Sequence, residues 1–210
     1  MSKRELVTVS FIVSLLISNL LACKLIGWGS LVLPAAVIIY PFCFMFGDVL
    51  SEVWGFKYTR KVIWLGFVCN AAMVLFLYLG QLLPPAATWD AQAAYEAIYG
   101  MVPRIVAASF LGYLVGEILN SFVLVKIKER FGPKRLYVRT ILSSVVGQAV
   151  DSGIFITVAF AGLIPTPVLL SMILSQYLVK IIIEASLGTP LAYLLVGVCR
   201  REEEQFSKNN

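Results

Sequence analysis

A chain of 210 residues that is 60% hydrophobic and only 14% charged, with a mean hydropathy of +0.87, is too apolar for a soluble domain, in which roughly a quarter of residues are charged. The absence of histidine excludes Ser-His-Asp hydrolysis, Cys-His chemistry, HExxH zinc proteolysis and histidine proton relays. Its four cysteines, Cys23, Cys43, Cys69 and Cys199, sit in or beside apolar runs without CxxC spacing, so they read as small hydrophobes rather than as a disulfide framework or a metal knuckle.

A helix needs about 20 mainly apolar residues to cross a bilayer, and six stretches qualify in chain order: 5–26, 31–53, 62–83, 103–125, 138–161 and 167–198. The first opens on Lys3-Arg4 and ends in Leu20-Leu21-Ala22-Cys23, which imitates a lipoprotein-type signal. Cleavage there would leave five spans and an external N-terminus, so a retained helix is the simpler reading. In the sixth stretch Pro190 removes a helical hydrogen bond and predicts a kink. The expected fold is therefore an all-α integral membrane protein, a single six-helix bundle over 1–210. Gly47-Asp48-Val49-Leu50-Ser51 and Gly116-Glu117-Ile118-Leu119-Asn120 match in pattern, which admits three parallel two-helix hairpins; a shared requirement at helix ends explains the match as well.

Basic residues orient the bundle. Most of the 17 lie in the N-terminal tail (Lys3, Arg4), between spans two and three (Lys57, Arg60, Lys61), between spans four and five (Lys126 to Arg139) and in the C-terminal tail. Segment 84–102 carries only Asp90 and Glu96. The positive-inside rule makes both termini cytoplasmic, and the +5 net charge is then a matter of topology, with no nucleic-acid partner implied.

Eight charged residues remain within or at the ends of the spans: Lys24, Asp48, Glu52, Arg104, Glu117, Asp151, Lys180 and Glu184. Each costs about 2.5–3.5 kcal/mol at a bilayer centre on insertion scales and so faces a bundle interior or an aqueous cavity. Lys24, Glu52 and Arg104 lie near span ends, where snorkelling and anchoring account for them. The others fall on helical faces with further polar groups. Tyr113, Glu117 and Asn120 share one face of span four, with Ser121 beside Glu117; Ser144, Gln148 and Asp151 share one of span five. Gln176, Lys180 and Glu184 share a face of span six, with Tyr177 beside them. Phe44 and Asp48 come from span two, Ser18 and Asn19 from span one. Lys180 can pair with Glu184 or, across helices, with Asp151, simply to hold the bundle together. Ser109, Gly112 and Gly116 form a strip where another backbone can approach. No GxxxxGK[ST] sequence is present, so the chain carries no Walker-type ATP site. These features describe a carrier of a small, polar, nitrogenous solute.

The ordered set Asn19-Leu20-Leu21-Ala22-Cys23-Lys24, Pro41, Gly47-Asp48-Val49-Leu50-Ser51-Glu52-Val53-Trp54-Gly55, Arg60-Lys61-Val62-Ile63-Trp64-Leu65-Gly66-Phe67, Pro103-Arg104 with Ser109, Glu117 with Asn120-Ser121, Ser143-Ser144 with Gly147-Gln148 and Asp151, and Gln176-Tyr177 with Lys180, Glu184 and Thr189-Pro190 resembles the queuosine precursor transporter family, of the vitamin-uptake-transporter type. The resemblance runs over nearly all of 15–200. It implies a multi-pass protein of the bacterial inner membrane that is not an enzyme, uses no cofactor and imports 7-cyano-7-deazaguanine or 7-aminomethyl-7-deazaguanine, a precursor of the queuosine in tRNA. Residues matching Asp48, Asp151 and Lys180 fit the family pattern best. A carboxylate can take the donors of a guanine-like edge while Lys, Gln or Asn donates to its carbonyl, and aromatic faces can stack on the ring. The expected substrate-binding set is Asn19, Asp48, Glu117, Asn120, Gln148, Asp151, Gln176, Tyr177, Lys180 and Glu184. Expected partners are the deazaguanine base, the lipid bilayer and, in one arrangement, a second copy of the chain. Three alternatives stay open: a substrate-binding subunit of an energy-coupling-factor importer, a carrier of another small nitrogenous solute, and either proton coupling or facilitated diffusion.

Overall fold

The computed structural model describes residues 2–29, 31–131 and 136–209; within these, the side chains of residues 28, 117, 120–121, 124–125, 127–131, 136–144, 188–189 and 201–209 lie outside the description. Helix α1 (Lys3–Leu21) opens on a capping box, with the Ser2 hydroxyl accepting from the Glu5 amide and the Glu5 carboxylate accepting from the Ser2 amide. A two-stranded antiparallel ribbon follows, β1 (Leu25–Trp28) with β2 (Leu31–Pro34), and then a 3₁₀ turn, Ala35–Ile38. Helix α2 (Tyr40–Leu82) carries a break at Gly55, where φ is 79° and ψ 164°. After it come the short α3 (Gln92–Tyr99), α4 (Val102–Phe131), α5 (Leu136–Phe160), α6 (Thr166–Ile183), a π turn at Glu184–Gly188, and α7 (Thr189–Asn209).

Contacts fix how these elements run. Thr8 meets Tyr58 and Asn19 meets Asn70, so α1 lies parallel to segment 56–82. Phe11 lies against Gly47 and Val7 clusters with Met45, Val49 and Leu50, so α1 is antiparallel to segment 40–54. The two arms of α2 are thus antiparallel to one another, and the Ser51 hydroxyl reaches Thr59 across the turn. The left-handed φ at Gly55 makes this reversal possible without an intervening loop, because glycine alone adopts it freely. Segment 54–61, expected as a loop, is helical on both sides of that one residue.

Helices α4 and α5 are antiparallel, since Arg104 bonds Val158 and Ala161 while Gly116 abuts Gly147. A Cβ on Gly112 would sit 2.8 Å from Asp151 Oδ1, and one on Gly116 2.9 Å from the Gly147 carbonyl. The expected small-residue strip is therefore the α4–α5 seam. Between transmembrane helices, where lipid removes most of the hydrophobic drive, such close backbone approach is what favours packing.

Two apolar clusters mark the ends of the molecule. One gathers Ala22, Ala36, Ile105, Ala108, Phe155, Phe160, Leu169 and Met172; the other gathers Val7, Leu50, Val62, Ala192 and Cys199. Helix α1 and the first arm of α2 touch both clusters, α4, α5 and α6 contribute to the first, and the second arm of α2 and α7 contribute to the second. The start of α1 and the Val198–Arg200 stretch of α7 lie with the second cluster, where Lys3 donates to the Val198 carbonyl and Arg200 pairs with Glu52. Among the described residues four helical stretches, Lys3–Leu21, Tyr40–Leu82, Gln92–Gly116 and Thr166–Leu187, are long and apolar enough to cross a membrane, and Val145–Phe160 and Pro190–Arg200 are shorter apolar helices.

Three boundaries differ from the sequence expectation. The first helix stops at Leu21 and the second starts at Tyr40, because the apolar residues between them pair as a ribbon. A Gly-Ser pair at 29–30, with Gly29 at φ 63°, suits a two-residue hairpin turn. The stretch 167–198 is interrupted by the π turn just before Pro190, as a residue lacking an N–H and crowding the preceding turn requires.

Candidate functional site

Between the two apolar clusters lies a cavity of about 370 Å³. Side chains recurring every three or four residues face it from six helical segments, so each segment contributes one polar or aromatic stripe. Helix α1 gives Ser18 and Asn19; the first arm of α2 gives Tyr40, Phe44, Asp48 and Ser51; the second gives Thr59 and Phe67. Helix α4 gives Ser109 and Tyr113, α5 gives Gln148 and Asp151, and α6 gives Lys180.

The deepest part is an ion pair. Lys180 Nζ lies 2.6 Å from Asp151 Oδ2, with the lysine side chain 6% exposed and the aspartate 26%. The same ammonium stands 4.8 Å from the centroid of the Tyr40 ring, a cation–π distance. Of the two pairings open in the sequence, the structure thus selects Asp151. Glu184, on the π turn, instead accepts a hydrogen bond from the Gln148 amide, and Gln148 Oε1 is buried with no hydrogen-bond partner among the described residues.

A second polar relay holds Asn19. Asn70 Nδ2 donates to the Gly66 carbonyl at 2.9 Å, and Asn70 Oδ1 accepts from Asn19 Nδ2 at 2.7 Å. The Gly66 oxygen can only accept, which fixes the direction of both bonds and leaves Asn19 Oδ1 as an acceptor toward the cavity. Asn70 is fully buried and was not singled out from the sequence, although it is the one amide in an otherwise apolar run. Tyr40 was also missed, since it lies where the second span was expected to be mid-helix and starts the helix instead.

Exposure rises along the cavity. Asn19, Phe155 and Lys180 are buried, whereas Asp48, Ser51 and Phe56, nearer the Gly55 turn, are exposed. The cavity is therefore closed beside the cluster around Ala36 and Phe160 and opens toward the end where Lys3 and Arg200 lie.

Of the expected binding residues, Asn19, Asp48, Gln148, Asp151 and Lys180 meet at the cavity, and Glu184 reaches it through Gln148. Gln176 and Tyr177 do not line it; Gln176 is buried, with both amide atoms unpartnered among the described residues. The side chains of Glu117 and Asn120 lie outside the described residues. Arg104 works as an anchor: its guanidinium donates to Val158 and Ala161 at the end of α5, where helix carbonyls lack partners and a cation is favourable.

The model of a family described as "Putative vitamin uptake transporter" matches residues 34–195. A "Probable queuosine precursor transporter" of Bacillus subtilis (strain 168) is 32% identical over 177 residues, 84% of this chain and 77% of that protein. A "Queuosine precursor transporter" of Escherichia coli (strain K12) is 26% identical over 58% of this chain and 52% of its own length. A "Probable queuosine precursor transporter" of Haemophilus influenzae is 26% identical over 63% of this chain and 51% of its own. No solved structure matches the chain.

Proposed function

This chain belongs to the family described as "Putative vitamin uptake transporter", and we propose that it is a multi-pass membrane transporter that imports a queuosine precursor, 7-cyano-7-deazaguanine or 7-aminomethyl-7-deazaguanine, across the bacterial inner membrane. Six helical passes span the bilayer with both termini in the cytoplasm, in keeping with the basic residues of the tails and of the Gly55 turn. The observation that carries the proposal is the cavity itself, a hydrogen-bonding and aromatic chamber midway between two apolar plugs. The names of the relatives support a queuosine precursor as the substrate.

The wall suits a flat, donor-rich base. Asp151 and Asn19 present acceptor oxygens to ring N–H and amino groups, Lys180 donates to the ring carbonyl, and the faces of Phe44 and Tyr113 stack on the bicycle. About 370 Å³ falls in the ordinary range of small-ligand pockets. With the cavity open toward the end where Lys3 and Arg200 lie, the conformation is the inward-facing one, from which substrate leaves to the cytoplasm. The chain acts as a carrier, not an enzyme, and needs no cofactor.

Purified protein in liposomes tests this reading and its alternative together. Labelled precursor enters vesicles containing this chain alone, without ATP or added subunits, and Asp151→Asn abolishes entry. Entry only after addition of an ATPase module would instead identify a substrate-binding subunit, and entry of another solute but neither precursor would refute the substrate assignment.

A further inference from the structure

The cavity wall is unevenly charged. Asp151 and Lys180 neutralise one another, while Asp48 faces the same space with no hydrogen bond or ion pair among the described residues. Lys180 is the one cation among the described lining residues and is already engaged. The described wall therefore carries one carboxylate in excess. Asp48 stands at the open end of the cavity, where water screens it in part, and an unpaired carboxylate lining a concave wall still favours a cation over a neutral ligand of the same shape.

Position sharpens the point. Tyr40 marks the level of Lys180, and Asp48 lies eight residues further along the same helix, on the same face and about 12 Å away. Phe44 stands midway. A substituted bicyclic base laid lengthwise against Phe44 puts its polar edge at the Asp151–Lys180 pole and its substituent at Asp48. A nitrile there is only an acceptor and would desolvate the carboxylate without pairing it. An aminomethyl group is protonated at neutral pH and offers both charge and donors.

We infer that Asp48 is a specificity-determining carboxylate that selects a flat base bearing a protonated amine, so that the aminomethyl precursor is taken in preference to the cyano precursor. The inference rests on the transport reading above. It is tested by competition: unlabelled aminomethyl and cyano forms are titrated against uptake of the labelled aminomethyl form into liposomes holding the wild-type protein, and direct uptake of each form is measured in parallel. The aminomethyl form should compete at least about tenfold better, as one charge-assisted hydrogen bond supplies. In Asp48→Asn that ratio should fall towards one, and Asp48→Glu should retain it.

Uptake of both forms with equal competition, or with the cyano form preferred, overturns the inference and leaves the transport reading standing. A preference that survives Asp48→Asn also overturns it. Uptake of neither form by the wild type overturns both. The wild-type comparison needs no variant, so the inference stays exposed to refutation even if Asp48→Asn fails to insert.

Discussion

Replacing Gly116 by alanine tests the seam on which the cavity is built. The added Cβ would lie 2.9 Å from the Gly147 carbonyl and 3.1 Å from Asp151 Cβ, where ordinary contact begins near 3.4 Å. Neither neighbour is the free end of a flexible side chain, so α4 and α5 must separate locally by about 0.5 Å, and overpacking of this kind costs about 1–3 kcal/mol. Alanine returns up to about 1 kcal/mol of helix propensity over glycine, which would blur a single measurement. Gly153, on α5, removes that ambiguity because a Cβ there meets nothing within 4 Å. Propensity cancels between the two variants, and Gly116→Ala should be less stable than Gly153→Ala by about 1–3 kcal/mol in reversible unfolding in mixed detergent micelles. Because the collision falls on Asp151, Gly116→Ala should also lose more uptake than Gly153→Ala. Equal stability of the two variants, within about 0.5 kcal/mol, would refute the close α4–α5 contact.

Other substitutions probe the polar groups. Asp151→Asn and Lys180→Met should each destabilise the protein, while the double variant loses less than the sum, with a coupling of about 1–3 kcal/mol; additive losses in the same unfolding assay would mean that the pair does not interact. Asn70→Leu should cost about 1–3 kcal/mol by stranding Asn19 Nδ2 and should raise the KM for uptake, although Asn70 does not line the cavity; an unchanged KM would remove Asn19 from substrate contact. Glu52→Gln breaks an exposed pair with Arg200, so thermal unfolding should shift by less than about 1 kcal/mol and uptake should hold; a large loss would show that this end of the bundle gates transport.

The sequence made the charged interior legible because each buried charge violates the composition around it. Asp48, Asp151 and Lys180 are conspicuous in apolar surroundings, and helical spacing alone brings Gln148 onto the face of Asp151. The seam glycines were readable for the same kind of reason, since Gly112 and Gly116 recur at four residues on one face. The partner of Lys180 was not readable, because i,i+4 spacing offers Glu184 as readily as a neighbouring helix offers Asp151. Length and hydropathy also misled at 22–39, where an apolar run long enough to belong to spans forms a ribbon and a 3₁₀ turn; the Gly-Ser pair at 29–30 was the local signal. Asn70 carried no charge to betray it, and its role comes from a contact 51 residues away in the chain. Gln176 stands as the reverse case, conspicuous in sequence yet outside the cavity in this conformation.

The central claim, import of a queuosine precursor, meets its most direct test in a bacterium that can neither make nor import deazaguanines. Cells given this gene and fed nanomolar 7-cyano-7-deazaguanine or its aminomethyl derivative should regain queuosine in their tRNA, and Asp151→Asn, present in the membrane at wild-type abundance, should not restore it. Wild-type protein in the membrane with no queuosine from either precursor would contradict the claim.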